Sequence, residues 1–332
     1  MDTLLAVGAV VAGVVLLVVS ADRFVTGAAE TSRTLGLPPL LIGMLVIGFG
    51  SSMPEMVISG FSAAGGNPGL ALGNAMGSNI ANIALILGAT ALISPITVRS
   101  RVIKLELPLL VLISLLFAGL SLHDGALSRG DGYLLLAAFA AALGWSLYLG
   151  IRSGKDSFGD MVEHEITATP LARSLTMTVV GLVVLVASSR LLVWGGVEIA
   201  TMFGVNDLII GLTIVAVGTS LPELASSIAA VRKNEHELAL GNVIGSNMFN
   251  TSIVIGISAL ISPAELDPGS IIRDLPVMIA LTAVLFLTCY GGLNPASGRL
   301  ARGQITRWEG ALLLLIYAGY NAWLIWVVFS SR

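Results

Sequence analysis

The chain has 332 residues, of which 55% are hydrophobic and only 11% charged, with a formal net charge of -3. That balance excludes an ordinary soluble domain, and the weak negative charge gives no electrostatic reason to bind nucleic acid. A single cysteine, Cys289, excludes an internal disulfide framework or a thiolate metal site.

About 20 apolar residues are needed to cross the hydrocarbon core of a bilayer. The sequence supplies ten such stretches, centred near residues 12, 47, 83, 112, 141, 183, 215, 251, 282 and 318. The expected fold is therefore an all-α integral membrane protein with ten transmembrane helices. The first stretch, LLAVGAVVAGVVLLVVS, follows Asp2 instead of a basic segment and lacks a cleavage site, so it reads as a span and not as a signal peptide. Cys289 reads as a small core residue, and His123, His164 and His236 fall in expected loops.

Loops after odd-numbered spans hold Arg33, Arg99, Arg101, Lys104, Arg152, Lys155, Arg173, Arg232, Lys233, Arg299, Arg302 and Arg307. Loops after even-numbered spans, with the C-terminus, hold only Arg129, Arg273 and Arg332. By the positive-inside rule both termini should be extracytoplasmic. The loop at 153–170 should be cytoplasmic.

The strongest organising signal is an internal repeat. A shift of 168 residues lays Gly36, Leu40, Gly43, Gly50, Ser52, Pro54 and Glu55 onto Gly204, Leu208, Gly211, Gly218, Ser220, Pro222 and Glu223. The same shift lays GNAMGSNIAN (73–82) onto GNVIGSNMFN (241–250), and one ALISP onto the other. The expected division is 1–152 and 171–332, two five-helix repeats joined by the short 153–170 loop. Five is odd, so the second repeat must enter the membrane inverted, a design typical of secondary transporters with a midplane site between repeats.

Within the repeats, GSSMPE (50–55) and GTSLPE (218–223) place a proline and a glutamate at membrane depth. Proline removes a donor, which should break the second and seventh helices and free the carbonyls of Gly50 and Gly218. At helical spacing Gly48, Ser51, Ser52 and Glu55 share a face, as do Ala216, Thr219, Ser220 and Glu223. Asn74, Ser78 and Asn82 make a polar stripe at i, i+4 and i+8, repeated by Asn242, Ser246 and Asn250. Each half thus offers carbonyl, hydroxyl, amide and carboxylate oxygens, a donor set suited to hard cations such as Na+ and Ca2+.

The paired GSSMPE and GTSLPE segments, each followed 23 residues after its glutamate by the serine of GSN, resemble the two α-repeats of the cation/Ca2+ exchanger superfamily, in particular its Na+/Ca2+ exchanger branch. The resemblance covers essentially the whole chain. It implies a ten-helix antiporter in a cell membrane, with Na+ and Ca2+ as substrates and no cofactor or obligate protein partner. It assigns Ca2+ to Glu55 and Glu223 with the carbonyls of Ser51 and Thr219. Na+ falls to Gly48, Ser51, Ser78, Asn82, Ala216, Thr219 and Ser246, while the first and sixth helices slide across the bundle.

The sequence also departs from the family. Many relatives carry an aspartate where Asn250 stands, a residue associated with K+ dependence in the K+-requiring branch, so K+-independent exchange is expected. Ser51 replaces the usual threonine, and the central loop is too short for a calcium-sensing domain. An H+/Ca2+ antiporter of the same fold is the alternative. An intramembrane enzyme is disfavoured because no HExxH motif, serine–histidine pair or paired aspartates occur at depth. A channel on the same bundle is disfavoured because broken helices in inverted repeats accompany alternating access. Glu30 and Glu198 read as span-end residues. Asn79 and Asn247 read chiefly as partners for the backbone freed at the helix breaks.

Overall fold

A computed structural model describes residues 3–98, 103–161, 170–203, 216–290 and 303–330. The first half contains α1 (Thr3–Leu35), α2 (Pro39–Ser51), α3 (Met53–Ala64), α4 (Pro68–Ile93), α5 (Ile103–Asp124) and α6 (Arg129–Met161). The second contains α7 (Leu171–Met202), α8 (Ala216–Thr219), α9 (Leu221–Arg232), α10 (His236–Ile261), α11 (Pro268–Tyr290) and α12 (Arg307–Ser330). Among the described residues eight helices are long and apolar enough to span a bilayer, and the bent pair α2–α3 makes up to nine. The seventh expected span falls partly on residues 204–215, outside the described residues. So does His164.

Helix dominates because a lipid-buried backbone must satisfy its own polar groups. Polar residues mark where helices begin. Ser128 and Asp131 form a reciprocal cap on α6, with the Ser128 N–H donating to Asp131 Oδ2 at 2.8 Å and the Asp131 N–H to Ser128 Oγ at 3.2 Å. Thr306 and Glu309 repeat it at α12. Two expectations about loops change: α6 runs on to Met161, and His123 and His236 lie at helix ends.

α1 and α7 pack along their length with small residues at the seam. A Cβ on Gly13 would meet Leu192, and one on Gly27 would meet Thr178, so the two helices run antiparallel. Their outer faces, including Val11, Val15, Val18, Val179 and Val183, are exposed and apolar, as a lipid-facing surface requires.

Two short antiparallel ribbons link the halves crosswise. Ile96 and Thr97 (β1) pair with Ile305 and Gln304 (β4), while Ala126 and Leu127 (β2) pair with Glu265 and Ala264 (β3). β3 is the 168-residue equivalent of β1, so the halves exchange strands reciprocally.

Candidate ion-binding site

The helix break at the first motif is a restart. α2 and α3 meet at 47°, and Pro54 sits in the first turn of α3, where its missing N–H costs nothing. Ser52 at the joint leaves helical geometry, with φ -84° and ψ 4°, while its N–H still reaches the Gly48 carbonyl at 3.1 Å. Pro222 and Ser220 repeat this at the start of α9, with φ -90° and ψ 5° at Ser220. The Gly218 carbonyl finds its partner in Ser189 on α7, whose Oγ donates to it at 2.9 Å. Ala21 occupies the equivalent of Ser189, so this device belongs to one half only.

The restarts aim two carboxylates inward. Glu55 and Glu223 are both buried, and each leaves its Oε2 without a hydrogen-bond partner among the described residues. Neither takes part in a salt bridge there. Ser52 stands one turn before Glu55, yet its Oγ donates to Glu223 Oε1 at 3.1 Å. One hydroxyl therefore joins the carboxylate of the second half to the Glu55 turn of the first.

α2 reaches this position by close packing on α10. A Cβ on Gly48 would lie 3.1 Å from the Ser246 nitrogen, and one on Gly245 would lie 2.6 Å from the Met44 carbonyl oxygen. The approach brings Ser246 Oγ to 3.4 Å from the Gly48 carbonyl. Ser51 Oγ donates to Asn242 Oδ1 at 3.1 Å.

Opposite, α4 and α10 bring their asparagines together. Asn82 Nδ2 donates to Asn247 Oδ1 at 3.1 Å, and Asn79 Nδ2 to Thr251 Oγ1 at 2.7 Å. Asn79 and Asn247 thus bond to side chains of the facing helix, where freed backbone was expected, because α4 and α10 pack directly. Neither oxygen nor nitrogen of the Asn250 side chain has a partner among the described residues. Both asparagine segments widen into π-helical turns, Ala81–Leu87 and Asn250–Val254, and Gly43–Gly48 does the same in α2. Such turns recur at functional sites.

The structure therefore gathers Gly48, Ser51, Ser52, Glu223, Ser246, Asn82 and the asparagine cluster through hydrogen bonds between facing helices. Ser78 is buried on α4, and Ser220 is buried at the joint between α8 and α9. Thr219 ends α8, and the side chain of Ala216 lies outside what is described. The sequence reading passed over Ser189, Thr251, and the pair Glu106 and Ser146, in which Ser146 Oγ donates to the buried Glu106. The repeat carried a signal for the last: Glu106 and Asp274 stand 168 residues apart, each two residues before a proline.

This architecture matches known proteins along its length. The family model described as sodium/calcium exchanger protein matches residues 5–148 and 173–326. The chain belongs to the sodium/calcium exchanger family. Among relatives, a putative antiporter, CaxA, of Alkalimonas amylolytica is 45% identical over 97% of this chain and 98% of its own. The sodium/calcium exchanger MaX1 of Methanosarcina acetivorans is 28% identical over 95% of this chain and 97% of its own. A solved structure of the sodium-calcium exchanger NCX_Mj, soaked with Na+ and Sr2+, superposes with a TM-score of 0.81 at 30% identity, covering 97% of this chain and 99% of that one. For an exchanger of this family the cations are substrates, and membership supports cation/Ca2+ antiport by a multi-pass membrane protein.

Proposed function

We propose that this exchanger trades Na+ for Ca2+ by alternating access between two inverted five-helix repeats, 1–152 and 171–332, without K+ and with net charge movement. The observation that carries the reading is the pair of buried carboxylates, Glu55 and Glu223, contributed by equivalent restarts in the two halves, with the Ser52 hydroxyl of the first half donating to Glu223 of the second. Two charges in a low-dielectric site must be balanced. One Ca2+ or two Na+ balance them, and a third Na+ makes the cycle electrogenic. Glu55 and Glu223 hold Ca2+ with the carbonyls of Ser51 and Thr219. Gly48, Ser51, Ser52, Ser78, Asn82, Ala216, Thr219, Ser220, Ser246 and Asn250 complete the Na+ and Ca2+ positions.

The antiparallel α1–α7 pair supports the inverted relation, since these helices are equivalents. Their small-residue seam and lipid-facing exterior fit a unit that moves against the bundle. The basic loops favour extracytoplasmic termini.

Uptake of radiolabelled Ca2+ into proteoliposomes tests the coupling. Vesicles loaded with Na+ and diluted into Na+-free buffer should take up Ca2+, while an equal K+ load or an imposed proton gradient should not drive it. Uptake indifferent to Na+ but driven by protons would transfer the chain to H+/Ca2+ antiport.

A further inference from the structure

Asn242 is fully buried on α10, and its side chain joins three helices. Its Nδ2 lies 3.1 Å from the Glu223 carbonyl oxygen, 3.2 Å from Ser226 Oγ and 2.8 Å from Ser227 Oγ, all on α9. Its Oδ1 lies 3.1 Å from Ser51 Oγ on α2. The Glu223 carbonyl can only accept, so the nitrogen must face α9 and the oxygen must face Ser51. Ser51 is then the donor in that bond. Its other acceptors are the Gly48 carbonyl, at 3.5 Å, and the Glu223 carboxylate.

A hydroxyl that coordinates a cation must turn its proton away and present a lone pair. Asn242 supplies the acceptor that makes Ser51 do so, and α9 holds Asn242 in the orientation required. The first half repeats one of these bonds, Asn74 Nδ2 donating to Ser59 Oγ at 3.0 Å as Asn242 does to Ser227, and differs at the neighbouring position, where Ile58 stands in place of Ser226.

We propose that Asn242 is a positioning residue for cation binding: by accepting the Ser51 proton while anchored on the Glu223 turn, it keeps the Ser51 oxygen ready for a monovalent cation. This deepens the proposed function and rests on its assignment of Ser51 as a ligand. It also makes the Ser51 ligand of one half depend on the Glu223 turn of the other.

The test is a double-mutant cycle in proteoliposomes, reading half-saturating Na+ and maximal rate separately for Ser51→Ala, Asn242→Leu and the double variant. Asn242→Leu should raise half-saturating Na+ about five- to tenfold, the worth of one hydrogen bond, with little change in maximal rate. The double variant should be no worse than the worse single one, because both changes remove the same interaction. Ser227→Ala, which keeps the side chain of Asn242 but removes its 2.8 Å anchor, should shift the same constant by less; it serves alone if Asn242→Leu fails to fold, and no shift then overturns the proposal. Additive losses with an active Ser51→Ala phenotype overturn the positioning role alone. A silent Ser51→Ala overturns the ligand assignment and the positioning role with it.

Discussion

Asn82 and Asn250 hold equivalent places in the two halves, each at the opening of a π-helical turn, yet only one is tied down. Asn82 donates to Asn247 at 3.1 Å. The symmetry-related bond would join Asn250 Nδ2 to Asn79 Oδ1, and both of these atoms lack partners among the described residues. The neighbouring position differs as well. Thr251 offers Asn79 an acceptor at 2.7 Å, whereas its counterpart Ile83 has none to offer, and Asn247 Nδ2 is left unpaired among the described residues. Two copies of one motif therefore make one closed amide pair and one open one. Under the proposed exchange, the open amide of Asn250 is the expected cation contact, because no internal bond must be broken first.

The largest expected effect tests whether the halves are equal where they look most alike. Glu55→Gln and Glu223→Gln keep side-chain shape and remove charge, so each should reduce Ca2+ uptake to background while the protein still elutes as a folded species in size-exclusion chromatography. Wild-type exchange by either variant would refute the two-carboxylate site. Next comes the packing that brings the halves together. Gly245→Ala should force α2 from α10 at a cost of about 1–3 kcal/mol and lower the melting temperature of the purified protein.

Thr251→Ile removes the acceptor for Asn79 and should cost about 1–3 kcal/mol in thermal unfolding, the penalty of an unsatisfied buried donor. Adding Ile83→Thr moves the hydroxyl to the other half, where Asn247 can use it, and should recover part of that loss. No recovery would mean the asymmetry does not arise at this pair. The smallest effect on folding is expected of Asn250→Asp, since its side chain has no bond to lose. It should instead alter cation affinity and the pH dependence of uptake by adding a third carboxylate, measurable as a shift in half-saturating Ca2+ across a pH series.

Much of the fold was legible because hydropathy and spacing are local properties. Among the described residues, apolar runs long enough for a bilayer are found as helices, and helices restart at Ser52 and Ser220, just before Pro54 and Pro222. The central loop was overestimated, because SGKDSFGDM carries polar composition that a helix tolerates once α6 has begun. Asn79 and Asn247 were matched to the wrong partners, because spacing along one helix says nothing about which side chain the facing helix presents.

The sequence by itself determined that this is a membrane protein made of two related halves, each carrying a proline-glutamate break and a polar stripe of oxygen donors. Composition, periodicity and the 168-residue repeat are properties of the chain read in order. Only the tertiary structure decided that Ser52 serves the glutamate of the other half, that Ser51 leans on Asn242, and that Asn250 stays open while Asn82 is closed. Those partners lie 171 and 191 residues apart for the two serines. Their meeting depends on how closely glycines let the helices approach and how π-helical turns rotate the side chains.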